Sequence, residues 1–166
     1  MTTSSSPSER KYLKIRDQLA EWLRAGNFEV ARMEHEKNHL WALIATAGAT
    51  PMAVSQAASH PDRVGFSGTI ELAERHRLKI EALSDEERID LLWDIRLRLL
   101  SFDVDFTVDQ WLREVTITKE LFADSLNRSA VLTAARQVLS ALRTYLACVG
   151  RRAGDAMEHA EQELTN

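Results

Sequence analysis

The stretch from Ser84 to Ser101, SDEERIDLLWDIRLRLLS, constrains the fold more than any other part of the chain. Ser84 followed by Glu87 is a capping box, because a serine hydroxyl and a glutamate carboxylate satisfy amide donors that the first helical turn leaves free. At about 100° per residue, the apolar residues of this predicted helix cover roughly 240° of its circumference: Ile89, Leu91, Leu92, Trp93, Ile95, Leu97, Leu99 and Leu100. One sheet covers less than that, so the helix needs two partners.

Two arginines lie within or beside this apolar arc. Arg96 is near its middle and Arg88 is near its edge. Each side chain either lies along apolar surface with its guanidinium in water, or pairs with a carboxylate of a neighbouring strand or subunit. Neither alternative implies catalysis.

Length, charge and cysteine content exclude several classes of protein. A chain of 166 residues fits one domain, which can bury roughly 70% of its unfolded surface. The net charge of -4 includes no basic block, which disfavours binding to nucleic acid. Cys148 has no internal disulfide partner, and no apolar run reaches the ~18 residues of a membrane span. Because the N-terminus also lacks a secretory hydrophobic segment, we expect a cytoplasmic protein that does not bind membranes.

Hydrophobic periodicity predicts an α+β fold in the order α-β-β-β-α-β-β-α, with helices packed on an antiparallel sheet of about five strands. Apart from the central helix, the predicted segments are a helix over 9–25, a hairpin of strands 28–35 and 40–46, a strand near 63–71, a short helix or turn over 72–83, strands 102–108 and 111–119 joined at Asp109-Gln110, and a long helix from Asp124 or Ser125 to Val149. We expect a disordered N-terminus over 1–8, one domain over 9–150, and a polar C-terminal tail over 151–166.

Two segments leave alternatives open. Residues 28–44 also fit a helical face, although Lys37 would then occupy its middle. Thr50-Pro51 either begins a short helix or precedes an alternating strand that includes Met52, Val54 and Gln56.

The string His35-Glu36-Lys37-Asn38-His39 matches H-E-x-x-H, in which two histidines one turn apart on a helix bind zinc. Here the string falls on a predicted hairpin turn, and no third ligand follows it. We therefore predict no catalytic, metal or cofactor site. The alternative is a metal-dependent hydrolase that uses His35, Glu36 and His39.

Three segments, HPDRVGFSGTIEL, LSDEERIDLLWDIRLRLL and ITKELFADSLNRSAVLTAARQV, resemble the third strand, the middle helix and the start of the last helix of the class I type III secretion chaperone fold. Uncharacterised prokaryotic families share that fold, and the resemblance covers residues 9–150. It implies a homodimer through the middle helix, with an interface formed by Ile89, Leu92, Trp93, Arg96, Leu99 and Leu100. It also implies that an extended segment of a client protein binds along apolar surface.

We accordingly predict a non-enzymatic, chaperone-like protein-binding module that binds a peptide or partner protein as a homodimer. The client would lie on the exposed face of the sheet, or add a strand at its edge. Phe28, Val30, Trp41 and Phe66 either contact the client or belong to the core. A small regulatory protein without a peptide client is a further possibility.

Overall fold

A computed structural model describes residues 7–33 and 38–153. Its elements are α1 (Pro7–Ala25), β1 (Glu29–Arg32), β2 (His39–Ala47), β3 (Thr50–Ala57), β4 (Arg63–Glu71), α2 (Glu74–Glu81), α3 (Asp85–Leu99), a 3₁₀ turn (Leu100–Phe102), β5 (Asp105–Val108), β6 (Glu114–Phe122) and α4 (Arg128–Ala153). The predicted α+β class is confirmed. The sheet has six strands rather than five, and the segment before α3 forms a helix of its own.

The strands follow one another across the sheet in the order β1-β2-β3-β4-β6-β5. β1 pairs with β2, β2 with β3, β3 with β4, and β5 with β6, each antiparallel. The hairpin predicted after α1 is therefore confirmed over its helical alternative. Residues 34–37, between its two strands, lie outside the described part of the chain.

The sixth strand is β3, where the sequence left a helix and a strand open. Gly48 adopts φ 63° in a two-residue turn, and Ala47 and Thr50 on either side of it are paired. Pro51 pairs with Thr46 on β2, whereas β4 pairs with β3 at Ala53–Ser55. Proline is tolerated there because it lies outside the part of β3 that is paired on both sides. The alternating strand is confirmed, and the helix beginning at Thr50 is wrong.

The central helix begins as predicted. The amide of Glu87 donates to Ser84 Oγ at 3.2 Å, and the amide of Ser84 donates to Glu87 Oε2 at 3.0 Å, which completes the capping box. The helix ends at Leu99, two residues before the predicted end, because the chain tightens into the 3₁₀ turn.

Some predicted boundaries were wrong. The last helix begins at Arg128, and its cap is Asn127, whose Oδ1 accepts from the amide of Ala130 at 2.9 Å. Ser125 Oγ instead donates to the carbonyl of Phe122. The first strand after α3 begins only at Asp105, because Asp103 has a left-handed φ of 52°.

By their internal contacts, the described residues group into two compact units: those up to Ser67 together with Lys119–Arg136, and Gly68–Thr118 together with those from Gln137 onward. The single domain expected over 9–150 stays a prediction, as do the ends of the chain, since residues 1–6 and 154–166 lie outside the described ranges. No helix within those ranges combines the length and the apolarity that crossing a membrane requires.

A buried polar network crosses the first unit. Gln56 is fully buried; it accepts from Trp41 Nε1 at 2.8 Å and donates to the carbonyl of Pro61 at 2.6 Å. Both ends of its amide are therefore satisfied, as burial requires. The network ties β2 and β3 to the turn that precedes β4.

In the second unit, Tyr145 of α4 is buried and donates its hydroxyl to the carbonyl of Leu112 at 2.8 Å. Leu112 is also buried, with a left-handed φ of 56°, in the turn between β5 and β6. Burial raises the pKa of Tyr145 far above its usual value, and the negative charges of Asp109 and Glu114 add to the effect. The phenol is therefore protonated at neutral pH and can donate this hydrogen bond.

Candidate functional site

Helix α3 has one buried and one exposed apolar face. Leu91, Ile95 and Leu99 recur every four residues and are at most 3% exposed. The second set is Ile89, Trp93, Leu97 and Leu100, which are 53%, 56%, 65% and 66% exposed. We call these four residues the α3 stripe. Their spacing of four, four and three residues puts them along one side of the helix.

The α3 stripe has about the size of the largest exposed apolar patch of an ordinary monomer. With side chains of these sizes more than half exposed, the four residues leave on the order of 500 Å² of apolar surface in water. The largest apolar patch of an ordinary monomer is about as large and is often functional. The stripe is therefore the candidate interaction site of this unit.

The structure divides the six predicted interface residues. Ile89, Trp93 and Leu100 belong to the stripe, Leu92 and Arg96 are half-buried, and Leu99 is fully buried. Leu99 is therefore a core residue in this chain. Leu97 was not among the predicted interface residues, although its 65% exposure makes it a full member of the stripe.

The two arginines of α3 differ in their contacts. Arg88, with its side chain 14% exposed, pairs with Asp85 and lies over the ring of Trp111, with Cζ 4.4 Å from the centroid. Its carboxylate partner thus belongs to its own helix rather than to a neighbouring strand. Arg96 takes part in none of the ion pairs found between described residues, and its Cζ lies 5.7 Å from the centroid of the Trp93 ring. Arg96 therefore borders the stripe.

Charge is distributed unevenly along α3. The first turn carries Asp85, Glu86 and Glu87, whereas the last turn carries Arg96 and Arg98. This order suits the helix dipole, which is positive at the N-terminus and negative at the C-terminus. The hydrogen bonds that Glu87 accepts from the backbone amide and the hydroxyl of Ser84 lower its pKa, so this carboxylate is ionised at neutral pH.

The residues predicted to contact a client belong mainly to the core. Phe28, Trp41 and Phe66 are 6%, 5% and 0% exposed, and Val30 is half-buried. The burial of three of these four side chains favours the alternative that they belong to the core.

The HEKNH string falls partly outside the described chain, since His35, Glu36 and Lys37 are in the gap at 34–37. His39 is the first residue of β2 and pairs with Ala57. A helix carrying two histidines one turn apart therefore does not extend through His39. Among the described residues, no three His, Cys, Asp or Glu side chains lie close enough together to hold a metal ion.

These features define an α+β protein with a six-stranded sheet and an exposed apolar stripe on its central helix. The chain belongs to the family described as "Uncharacterized conserved protein (DUF2299)", whose model matches residues 15–148. No curated protein matches the sequence.

The fold is shared with an uncharacterized protein from Methanothermobacter thermautotrophicus, known from a crystal structure. The two chains align with a TM-score of 0.77 at 22% identity, over 84% of this chain and 99% of the other. A chain in the crystal structure of the ExsC-ExsE complex aligns with a TM-score of 0.43 at 14% identity, over 78% of this chain and 88% of that one. A score this low supports no argument, so the resemblance to secretion chaperones stays a prediction.

Proposed function

We propose that this protein is a non-enzymatic protein-binding module that works as a homodimer, and that the α3 stripe is its dimer interface. The observation that carries the proposal is the exposure of Ile89, Trp93, Leu97 and Leu100 on one side of a helix whose other side is buried. Exposed apolar side chains of this size are costly in water, and their burial is the main favourable term in protein association.

The size of the stripe suits a partner that contributes an equal surface. Two copies facing each other would bury on the order of 1,000 Å² from these side chains alone, close to the ~1,200 Å² at which specific interfaces begin. Tryptophan and arginine are among the residue types most enriched at binding hot spots. The stripe contains Trp93, and the guanidinium of Arg96 lies over its ring. A second copy of this chain supplies both without any further partner.

The charges of α3 favour an antiparallel arrangement of the two helices. In that arrangement the acidic first turn of one helix, with Glu86, faces the last turn of the other, with Arg96; Arg98 is paired with Asp94 of its own helix at 2.9 Å. The helix dipoles also oppose each other favourably. A twofold axis across the stripe gives this pairing twice, as an isologous interface requires. Arg96, which borders the stripe, then has a carboxylate within reach on the second copy.

A client protein would bind at a sheet edge rather than on the covered face. β1 and β5 are the outer strands, each of four residues. At β1, Arg24 Nη2 donates to the carbonyl of Val30 at 3.4 Å, which occupies one of the edge acceptors. β5 is therefore the edge better suited to strand addition by an extended peptide.

Light scattering tests the dimer. The wild-type protein should have twice the mass of one 18.8 kDa chain, and the double variant Trp93→Ala/Leu97→Ala should have the mass of one chain at the same concentration. The matched control is Leu78→Ala on α2, because Leu78 is similarly exposed, at 57%, but lies outside the stripe. A wild-type monomer at high concentration, or a double variant that still dimerises, would contradict the proposal.

A further inference from the structure

A pocket of about 200 Å³ opens on the face of the sheet opposite the buried strand residues, in the first unit. Its lining residues come from β2, β3, β4, β6 and the turn before β4: His39, Ser55, Ala57, His60, Arg63, Gly65 and Glu120. The pocket lies on different elements from the α3 stripe, so the argument about its ligand is independent of the dimer.

Gly65 is one of the residues that line this pocket. It lies in the middle of β4, where glycine is unfavourable unless the backbone bends or something approaches it closely. The pairing of Gly65 with Ser55 is regular, with neighbours in register on both sides. A Cβ at this position would meet nothing nearer than the Ser55 carbonyl at 3.9 Å. No protein atom therefore requires a glycine here.

Gly68 of the same strand shows the contrast. A Cβ there would lie 2.4 Å from Cδ1 of Leu142, so packing explains the absence of a side chain. A side chain at position 65 would instead extend into the pocket. The small side chains of Ser55 and Ala57 also line it. A ligand in this space would therefore meet backbone, and no side chain, at position 65.

The charged walls of the pocket select the kind of ligand. Arg63 Nη1 lies 2.7 Å from Glu120 Oε2, and Arg63 Nε lies 3.9 Å from Asp62 Oδ2. Two carboxylates thus surround one guanidinium, which disfavours a simple anion. The Arg63 guanidinium also lies over the Phe122 ring, with Cζ 5.5 Å from its centroid, which fixes its position.

A ligand with both charges matches these walls. Its carboxylate would accept from Arg63 and its ammonium would donate to Glu120. The Arg63–Glu120 pair is 44% and 52% exposed, and exposed ion pairs contribute little, so a ligand can replace it at small cost. We propose that this pocket binds a small zwitterion with the carboxylate and ammonium groups of a free amino acid.

The test is an NMR titration of the full chain with alanine, acetate and methylammonium, followed at the backbone amides of Ser55, Gly65 and Glu120. Alanine should bind at least ten-fold more tightly than either acetate or methylammonium.

Gly65→Val should weaken alanine binding at least ten-fold without lowering the melting temperature, because a β-branched side chain suits a strand and fills the pocket. Ser67→Val adds the same side chain two residues along on the same face, outside the pocket, and should leave binding unchanged.

Charge variants provide a second test that does not depend on how Gly65→Val folds. Arg63→Gln and Glu120→Gln should each weaken alanine binding about ten-fold. The proposal is overturned if alanine does not shift these amides, if acetate binds as tightly as alanine, or if neither Gly65→Val nor the charge variants weaken binding.

Discussion

Leu99, the last residue of α3, is fully buried, whereas its neighbour Leu100, the first residue of the 3₁₀ turn, is 66% exposed. The first completes the core beneath the helix, and the second is the last member of the α3 stripe. The same substitution at these two positions should therefore have different consequences. A substitution of Leu99 should affect folding, and a substitution of Leu100 should affect association.

Removing the hydroxyl of Tyr145 should destabilise the second unit without a change of shape. Tyr145→Phe keeps the buried ring but leaves the carbonyl of Leu112 without its 2.8 Å donor. We expect a loss of about 1–2 kcal/mol in the free energy of unfolding, measured in urea. The control is Tyr12→Phe, because the Tyr12 hydroxyl forms no hydrogen bond with any described residue. Equal stability of the two variants would contradict this role for the Tyr145 hydroxyl.

The two glycines of β4 should respond differently to a methyl group. Gly68→Ala places a Cβ 2.4 Å from Leu142, which is fully buried, so we expect a loss of about 1–3 kcal/mol from overpacking. Gly65→Ala meets no atom nearer than 3.9 Å and should be neutral or slightly stabilising. Thermal unfolding of both variants checks the pair. A Gly68→Ala variant as stable as Gly65→Ala would show that Leu142 of α4 does not pack against Gly68 as closely as described.

The capping box of α3 should make stability depend on pH through Glu87. Its pKa is lowered from the ordinary 4.5 in the folded chain, so its contribution is complete above that value and is lost as pH falls through the lowered folded pKa. Glu87→Gln should therefore be less stable than the wild type at pH 7, and the difference should shrink at acidic pH. Ser84→Ala should cost about 1 kcal/mol at pH 7.

Urea unfolding between pH 7 and pH 3 measures this difference. Glu86→Gln is the control, because Glu86 is exposed in the same turn but takes no part in the capping box. A difference between wild type and Glu87→Gln that stays constant with pH would rule out the carboxylate as its source.

The sequence predicted those elements whose signals are local. The Ser84–Glu87 capping box and the apolar spacing behind it were sufficient to predict α3. The start of the last helix was misplaced because Asp124, Ser125 and Asn127 are all good caps, and only the tertiary position of the strand before them decides in favour of Asn127. The prediction for residues 50–57 stayed open because proline fits a strand only where its nitrogen need not donate to a neighbouring strand. The sequence does not show how the strands pair, so it does not show whether Pro51 is at such a position.

The candidate site was predicted in part. The 240° arc correctly indicated two apolar faces on α3, but the arc alone does not say which face the sheet covers. Leu99 was therefore assigned to the interface and Leu97 was not. A helical projection separates Leu97 from Leu99 by 200°, and the strand that packs beneath α3 decides between them. The pocket at Gly65 gave no motif, because its lining comes from four strands that only the sheet brings together.

Sedimentation velocity of the wild type, Leu99→Asp and Leu100→Asp tests the central claim most directly. At about 100 µM we expect the wild type at twice the mass of one 18.8 kDa chain and Leu100→Asp at the mass of one chain with native circular dichroism. Leu99→Asp should lose cooperative folding, because it buries a charge without a partner. A wild type that sediments as a monomer, or a folded Leu100→Asp that remains a dimer, would contradict the assignment of the α3 stripe.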